Sequence, residues 1–409
     1  MVRRRIGIIF IFSFFILFSL VESSHSNEPD FTITAPSMKY LMAFHGCSGS
    51  GGINCNDPHN HKVFLAQSND GKSFSLVPGW QPYQGSVPTV FRRGNTIFIY
   101  NAWSDLRKID MNSGIVHDAG VAKLTSNFSG PEQGGYVDPS IAQASDGRFV
   151  LFYLPSQLGG DPAGCGSQPS CVREIHYAIE VAGSGGTRFD PVGIATSKNL
   201  TPPNTFSDPD IFYNGTKWVL LVSEGPSTEV FTSDTLQSSY MSAGIIARNS
   251  GGVPAGFHDK ASGENWIYTT QNIDMSGSSV IRRSISSTGI EALTAFETVI
   301  DSNIYSALKL TTVASPSLAI NDNGAPCPTC ASGGNNSGNS NPSPNASPSP
   351  VIPSATVSTP QVSTPTPTVS ASKTSTASKS ITITCVKGKT SIQVKGTKPT
   401  CPKGYTLKK

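Results

Sequence analysis

Two aspartates and a glutamate stand out by their setting. Asp138 opens Asp138-Pro139-Ser140-Ile141, and Asp208 opens Asp208-Pro209-Asp210-Ile211-Phe212. Glu224 closes the apolar run Trp218-Val219-Leu220-Leu221-Val222-Ser223. Asp-Pro alone is common in turns. Here each pair starts a short β-rich run that leads through a polar turn into a second apolar run, so both Asp residues sit at the same phase of a repeated hairpin. Equivalent positions on adjacent units direct both carboxylates into one cavity. Carboxylates paired in partly apolar surroundings are the minimum for general acid–base chemistry, one holding a proton while the other stays ionised. Glu224, at the outgoing end of its hairpin, returns to the face of Asp208 and is the candidate acid.

Other polar groups reach the same rim. Ser86 precedes Val87-Pro88, and His45, Asn101 with Trp103, Gln157, and Gln271 with Asn272 each follow a second strand. Of these, Ser86, Trp103, Gln271 and His45 are the candidate substrate-binding residues, Trp103 through its flat aromatic face. His59 and His61 lie near His45 in sequence, but no ligand spacing is met and no metal site is assigned. Gly49 to Gly52 has no strand-to-helix context, which argues against a phosphate loop.

The hairpin that carries Asp208 recurs. Val87-Pro88-Thr89-Val90-Phe91, the Asp138 segment, Val253-Pro254-Ala255-Gly256-Phe257 and Ser315-Pro316-Ser317-Leu318 repeat its first strand. The Ser315 copy has no second strand after it, whereas Met38-Lys39-Tyr40-Leu41-Met42-Ala43-Phe44 is a second strand with no first. Third strands are expected at Lys62 to Gln67, Lys108 to Met111, Glu174 to Ile179, Glu229 to Thr232 and Val280 to Ser284. Repeats of a few short strands cannot bury both faces alone, which is the condition that propellers satisfy. The expected fold is all-β: a five-bladed β-propeller over 31–325, closed by its N- and C-terminal strands.

Around this body the chain changes character. Arg3, Arg4 and Arg5, the apolar run Ile6 to Leu20 and the small residues after it read as a signal peptide over 1–26. The protein is thus expected to be secreted or associated with the cell surface. Of 409 residues only 14% are charged, with 39 Gly and 30 Pro, a composition of turns and strands rather than long helices. The net charge of +3 conceals a basic end, since Lys379 to Lys409 holds eight Lys and no acid. Residues 331–378, rich in Ser, Thr and Pro, cannot form a core and are expected to be a disordered linker. Residues 380–409 then read as a small basic β-module.

The cysteines fall into close pairs: Cys47 with Cys55, Cys165 with Cys171, Cys327 with Cys330, and Cys385 with Cys401. In an exported chain such spacing favours local disulfides.

The repeated Asp-Pro hairpins resemble the five-bladed propellers of the glycoside hydrolase clan that holds arabinanases and xylosidases (family 43) and invertases (family 32). The residues carrying this are Asp138 to Ile141 with Gly147 to Tyr153, and Asp208 to Phe212 with Gly215 to Ser223. The resemblance implies a carbohydrate substrate and hydrolysis by carboxylates flanking a glycosidic bond. In such families the first blade also carries an Asp, and here Ser86-Val87-Pro88 stands in its place. The alternative is therefore a non-catalytic carbohydrate-binding or surface-adhesion propeller. No cofactor is expected, with the propeller axis open to a structural calcium ion. No nucleic acid is expected, and the protein is expected to be a monomer. Ser68-Asn69-Asp70-Gly71-Lys72-Ser73-Phe74 resembles the turn of sialidase propellers, where its role is structural. The tail, Ile383-Thr384-Cys385-Val386-Lys387-Gly388-Lys389 through Pro399-Thr400-Cys401-Pro402, resembles the Cys-paired, Lys-rich end of exported actinobacterial proteins. Its charge suits anionic cell-envelope polymers.

Overall fold

The computed structural model describes residues 30–126, 134–156, 163–249, 251–272, 279–291 and 293–322, with 381–387, 390–396, 401, 406 and 407. The 1–26 leader, Gln157, Cys327, Cys330 and the 331–378 linker lie outside these residues. The chain divides into compact units at 1–334 and 335–409.

The body is nearly all strand. Its innermost strands are Thr89–Arg93, Tyr136–Gln143, Ser207–Tyr213, Gly252–Asp259 and Thr312–Ile320. They define a first to a fifth sheet unit. Each pairs antiparallel with a second strand: Thr96–Tyr100, Phe149–Pro155, Trp218–Glu224, Glu264–Asn272 and Tyr40–Cys47. The two orphan strands of the sequence thus pair with each other, Tyr40 opposite Ile320. Third strands follow at Asp105–Asp110, Cys171–Glu180, Ser227–Ser233, Ser279–Ser286 and Lys62–Ser68. The innermost strands lie side by side in the order first, second, third, fourth, fifth and again first.

This arrangement answers a burial problem. The second strands are apolar on both sides, so both faces of each unit must be covered. The apolar clusters accordingly lie between units. Phe98 and Tyr100 of the first pack with Phe149 and Phe189 of the second. Phe152 and Tyr177 of the second pack with Phe206 and Trp218 of the third. Phe212 and Leu221 of the third meet Ile267 of the fourth. Tyr40 and Phe44 of the fifth join Trp266 and Tyr268 of the fourth and Val90 and Ile97 of the first. Each fully buried large apolar side chain contributes roughly 1.5–3 kcal/mol.

Two local features fix how units dock. Arg93 of the first unit forms a two-pronged pair with the buried Glu180 of the second, at 2.6 and 3.1 Å. The Ser68–Phe74 turn of the fifth unit docks on the fourth. Burial works to raise the Asp70 carboxyl, but hydrogen bonds from Ser73, Lys72 and Ser68 outweigh it and hold it well below the usual carboxylate range. Gly71, at φ +65°, lies flat on Trp266, where a Cβ would come within 2.3 Å of the indole. Tyr268 donates its hydroxyl to the Gly71 carbonyl at 2.6 Å. The turn is a structural clasp.

The sequence placed the first unit's third strand at Lys108 to Met111, and it runs Asp105–Asp110 instead. Ser104, at φ +68°, turns the chain back directly after Trp103, so the strand begins earlier. Disulfides join Cys47 to Cys55 and Cys165 to Cys171. In the C-terminal unit Ile381–Lys387 lies between Thr390–Gly396 and Thr406–Leu407 in a three-stranded sheet. Cys401 there is disulfide-bonded. Among the described residues no helix is long and apolar enough to cross a membrane.

Candidate functional site

The five innermost strands all begin in the same unusual way. Val87, Asp138, Asp208, Val253 and Ser315 have φ of +45°, +50°, +49°, +48° and +54°, and each precedes a proline. A non-glycine residue in this region is uncommon, and a β-branched valine there is a true outlier. In four of the units the ladder register slips across this residue and its proline, which has no N–H to offer the ladder. Strain of about 1–3 kcal/mol at one such residue persists only where the surroundings over-determine it. Here it is repeated around one axial neck, a cavity of only about 10 Å³ lined by Val87, Asp208, Val253, Ser315 and all five prolines.

The N–H groups of four strained residues are caught by a neighbouring unit. Val87 donates to His45 Nδ1 at 3.2 Å, Val253 to Ser223 Oγ at 3.1 Å, and Ser315 to Thr270 Oγ1 at 3.1 Å. His45, Ser223 and Thr270 occupy like positions on the second strands of the preceding units. In the second unit that position is Leu154, opposite Val137, and it has no acceptor. The N–H of Asp208 turns instead to Asp138 Oδ2, at 3.4 Å. The two sequence-predicted aspartates are therefore brought together on adjacent strands at one end of the axis. Removal from water raises the Asp208 carboxyl above its ordinary range, and a 2.6 Å hydrogen bond from Ser207 partly offsets this.

A third axial carboxyl, Asp210, lies two residues further along. Burial pushes it up to about 7, against the N–H of Gly256 at 2.8 Å and the hydroxyl of Ser140 at 3.3 Å, both of which favour its charged form. Its phase is a stitching position. Ser317 accepts the N–H of Val90 and Ser140 that of Ile211, both at 3.1 Å, as Asp210 accepts that of Gly256. The signal for it was present in the sequence, since Thr89, Ser140, Asp210 and Ser317 are all polar two residues after the strained position.

Glu224 is engaged in a way that the sequence did not reveal. Its carboxylate lies 2.6 Å from Lys198 Nζ, on the outer strand Arg188–Leu200 of the second unit, and Lys198 also holds Glu229 at 2.6 Å. Burial works to lower the Lys198 ammonium, but the two carboxylates outweigh it and raise it.

Ser86 and His45 do come together, with His61 as the partner. Ser86 is buried, with its hydroxyl 2.8 Å from His61 Nδ1 and 3.4 Å from His45 Nδ1. The two imidazoles stack with centroids 4.0 Å apart. His61 Nε2 donates to the Cys55 carbonyl at 2.9 Å, and His45 Nδ1 accepts from Val87, which assigns the His45 ring as neutral. Burial drives His45 well below its ordinary range, with the neighbouring His61 adding to this, and burial lowers His61 as well. Trp103 is half-buried and stacks on His59 at 5.0 Å. Gln271, also half-buried, lies opposite Val280.

Among the described residues no group of three His, Cys, Asp or Glu side chains is placed to hold a metal ion.

No protein-family profile matches the chain, and no curated protein does. Solved structures that it resembles include an exo-β-1,3-galactanase from Phanerochaete chrysosporium with β-1,3-galactotriose. That likeness has 9% identity and TM-score 0.40, over 55% of this chain and 52% of that one. An exo-1,5-α-L-arabinanase from a bovine ruminal metagenomic library has 15% identity and TM-score 0.40, over 64% of this chain and 95% of that one. A family 43 endo-arabinanase from Bacillus licheniformis has 14% identity and TM-score 0.38, over 52% and 76%. The chain spans about half the length of the galactanase. These are proteins of the type that the Asp-Pro hairpins resemble. At such identities none of their residues is carried onto this chain.

Proposed function

We propose that the five units close into a five-bladed β-propeller and that the protein is an exported carbohydrate-active enzyme, a glycoside hydrolase. The observation that supports this is the meeting of Asp138 and Asp208 at one end of the axis, on backbone that is strained in every unit. Asp208 is raised by its removal from water, as suits a carboxyl that holds a proton. In the proposed reaction the pair serves as base and modulator. Glu224, held by Lys198 at the rim, is the proton donor. Ser86, His45, Trp103 and Gln271 would border the substrate. The basic C-terminal unit would retain the protein on anionic envelope polymers.

A second reading is a non-catalytic carbohydrate-binding propeller. It is favoured by Val87, which occupies the first-unit position where the resembling families carry an acid, and by the Lys198 ammonium on the carboxylate of Glu224. One experiment separates the two. Wild type, Asp208→Asn and Glu224→Gln are assayed for turnover and binding on arabinan, galactan, xylan and fructan panels. Wild-type turnover that both variants lose supports the enzyme. Binding without turnover, weakened in Asp208→Asn, gives the lectin-like reading.

A further inference from the structure

Past the neck the innermost strands continue into a second axial space. A cavity of about 360 Å³ opens there, lined by the later residues of the same strands and so remote from the strained ends. Phe91, Ala142, Phe212, Phe257 and Ala319 share one phase, four residues beyond the strained positions, and all line it. Phe91 wedges against Phe149 of the next unit at 5.3 Å, and Phe257 against Tyr40 at 5.6 Å. Phe212 fills the place that Gly256 leaves, where a Cβ would fall 2.2 Å from its ring. Ala142 and Ala319 bring no ring to this layer. The ring layer is apolar, with charged residues elsewhere on the lining, and Asp210 borders both this cavity and the neck.

We propose that this cavity is a binding site for a neutral, mainly apolar small molecule with one hydroxyl group. The apolar body would lie among the phenylalanine rings, and the hydroxyl would meet Asp210. The volume lies in the range of small-molecule sites, about 300–1,000 Å³, and such sites pair apolar walls with few polar anchors. An anion would face Asp210 in a medium of low dielectric. A cation would meet Arg92, Lys39 and Lys260 at the lining, which are set against Asp259 and Asp322, with Lys39 paired to Asp259 at 3.1 Å. The proposal does not depend on the chemistry at the other end.

The test titrates the full chain with 2-naphthol and with naphthalene, following probe fluorescence. Saturable one-to-one binding is expected, with 2-naphthol about tenfold tighter, the worth of one hydrogen bond. Ala261→Trp, at an exposed position on the lining, and Ala142→Phe, which refills the layer, should each weaken both probes at least about tenfold. Asp210→Ala, which copies Ala255 of the fourth unit, should keep naphthalene and lose the preference for the hydroxyl. Asp138→Asn with Asp208→Asn should bind both probes as wild type does. Circular dichroism melts identify any variant that fails to fold, and Ala261→Trp, on the surface, then carries the decision. The proposal is overturned by no saturable binding in wild type, by unchanged binding in a folded Ala261→Trp variant, or by loss in the Asp138/Asp208 double variant.

Discussion

The backbone N–H of Asp208 reaches the carboxylate of Asp138 because Leu154 cannot accept it. Asp138 therefore has a structural duty that can be separated from any chemical one. Asp138→Ala removes the acceptor and should cost about 1–2 kcal/mol in urea unfolding, the penalty of a buried unmet donor. Asp138→Asn keeps an acceptor oxygen and should stay within about 0.5 kcal/mol of wild type, while losing turnover. Equal urea midpoints for the Ala and Asn variants would show that the carboxylate does not stitch the two units.

Asp210 makes the stability of the body depend on pH. Its folded value of about 7 exceeds the ordinary 3.8, so the folded state binds a proton that the unfolded chain has released. Its contribution is complete below about 3.8, falls as pH rises toward 7, and is level above that. The slope is at most about 1.4 kcal/mol for each pH step of one. Asp210→Asn should flatten the curve of urea midpoint against pH between 4 and 7. An unchanged curve would remove Asp210 as its source.

The histidine pair acts in the opposite direction. His45 and His61 are held neutral, below the ordinary 6.5, so protons bind the unfolded chain first as pH falls. Their stability is fully present above about 6.5 and declines below it. His45→Gln should weaken this acid sensitivity while retaining an acceptor for Val87. An Asp210→Asn variant that is equally stable at pH 7.5 and pH 5 would contradict this.

The Cys47–Cys55 link closes a short loop whose carbonyl at Cys55 orients His61. Replacing both cysteines with serine should cost about 2–3 kcal/mol on loop entropy alone. The same change should raise hydrogen exchange at Ser86 and Val87, measured by mass spectrometry on peptides covering the first innermost strand. Protection there that survives the change would detach the loop from the histidine cluster.

The repeating hairpins could be read from the chain because each announces itself locally, by X-Pro, alternation and a polar turn. The outer strands Ile115–Val121, Arg188–Leu200 and Met241–Ile245 could not be, since they are half-buried or exposed and carry little apolar alternation. The meeting of Asp138 with Asp208 followed from repeat phase alone. The pairing of Glu224 with Lys198 did not, because Lys198 sits on an outer strand of another unit. His61 joins Ser86 and His45 only once the fifth unit lies beside the first, and Ser86 is 25 residues from His61 and 41 from His45. Asp210 was hidden in plain view, inside a run read for its β character.

The pairing of Tyr40–Cys47 with Thr312–Ile320 also sets an order of events at the ribosome. A strand that emerges early must wait for the one that emerges last from the body. Until then it presents a wholly apolar edge, Tyr40 to Phe44, to whatever is nearby, and long-range pairings of this kind form slowly. A nascent chain of this protein therefore has no stage at which its early part is finished, and a truncated product would carry an open, adhesive seam.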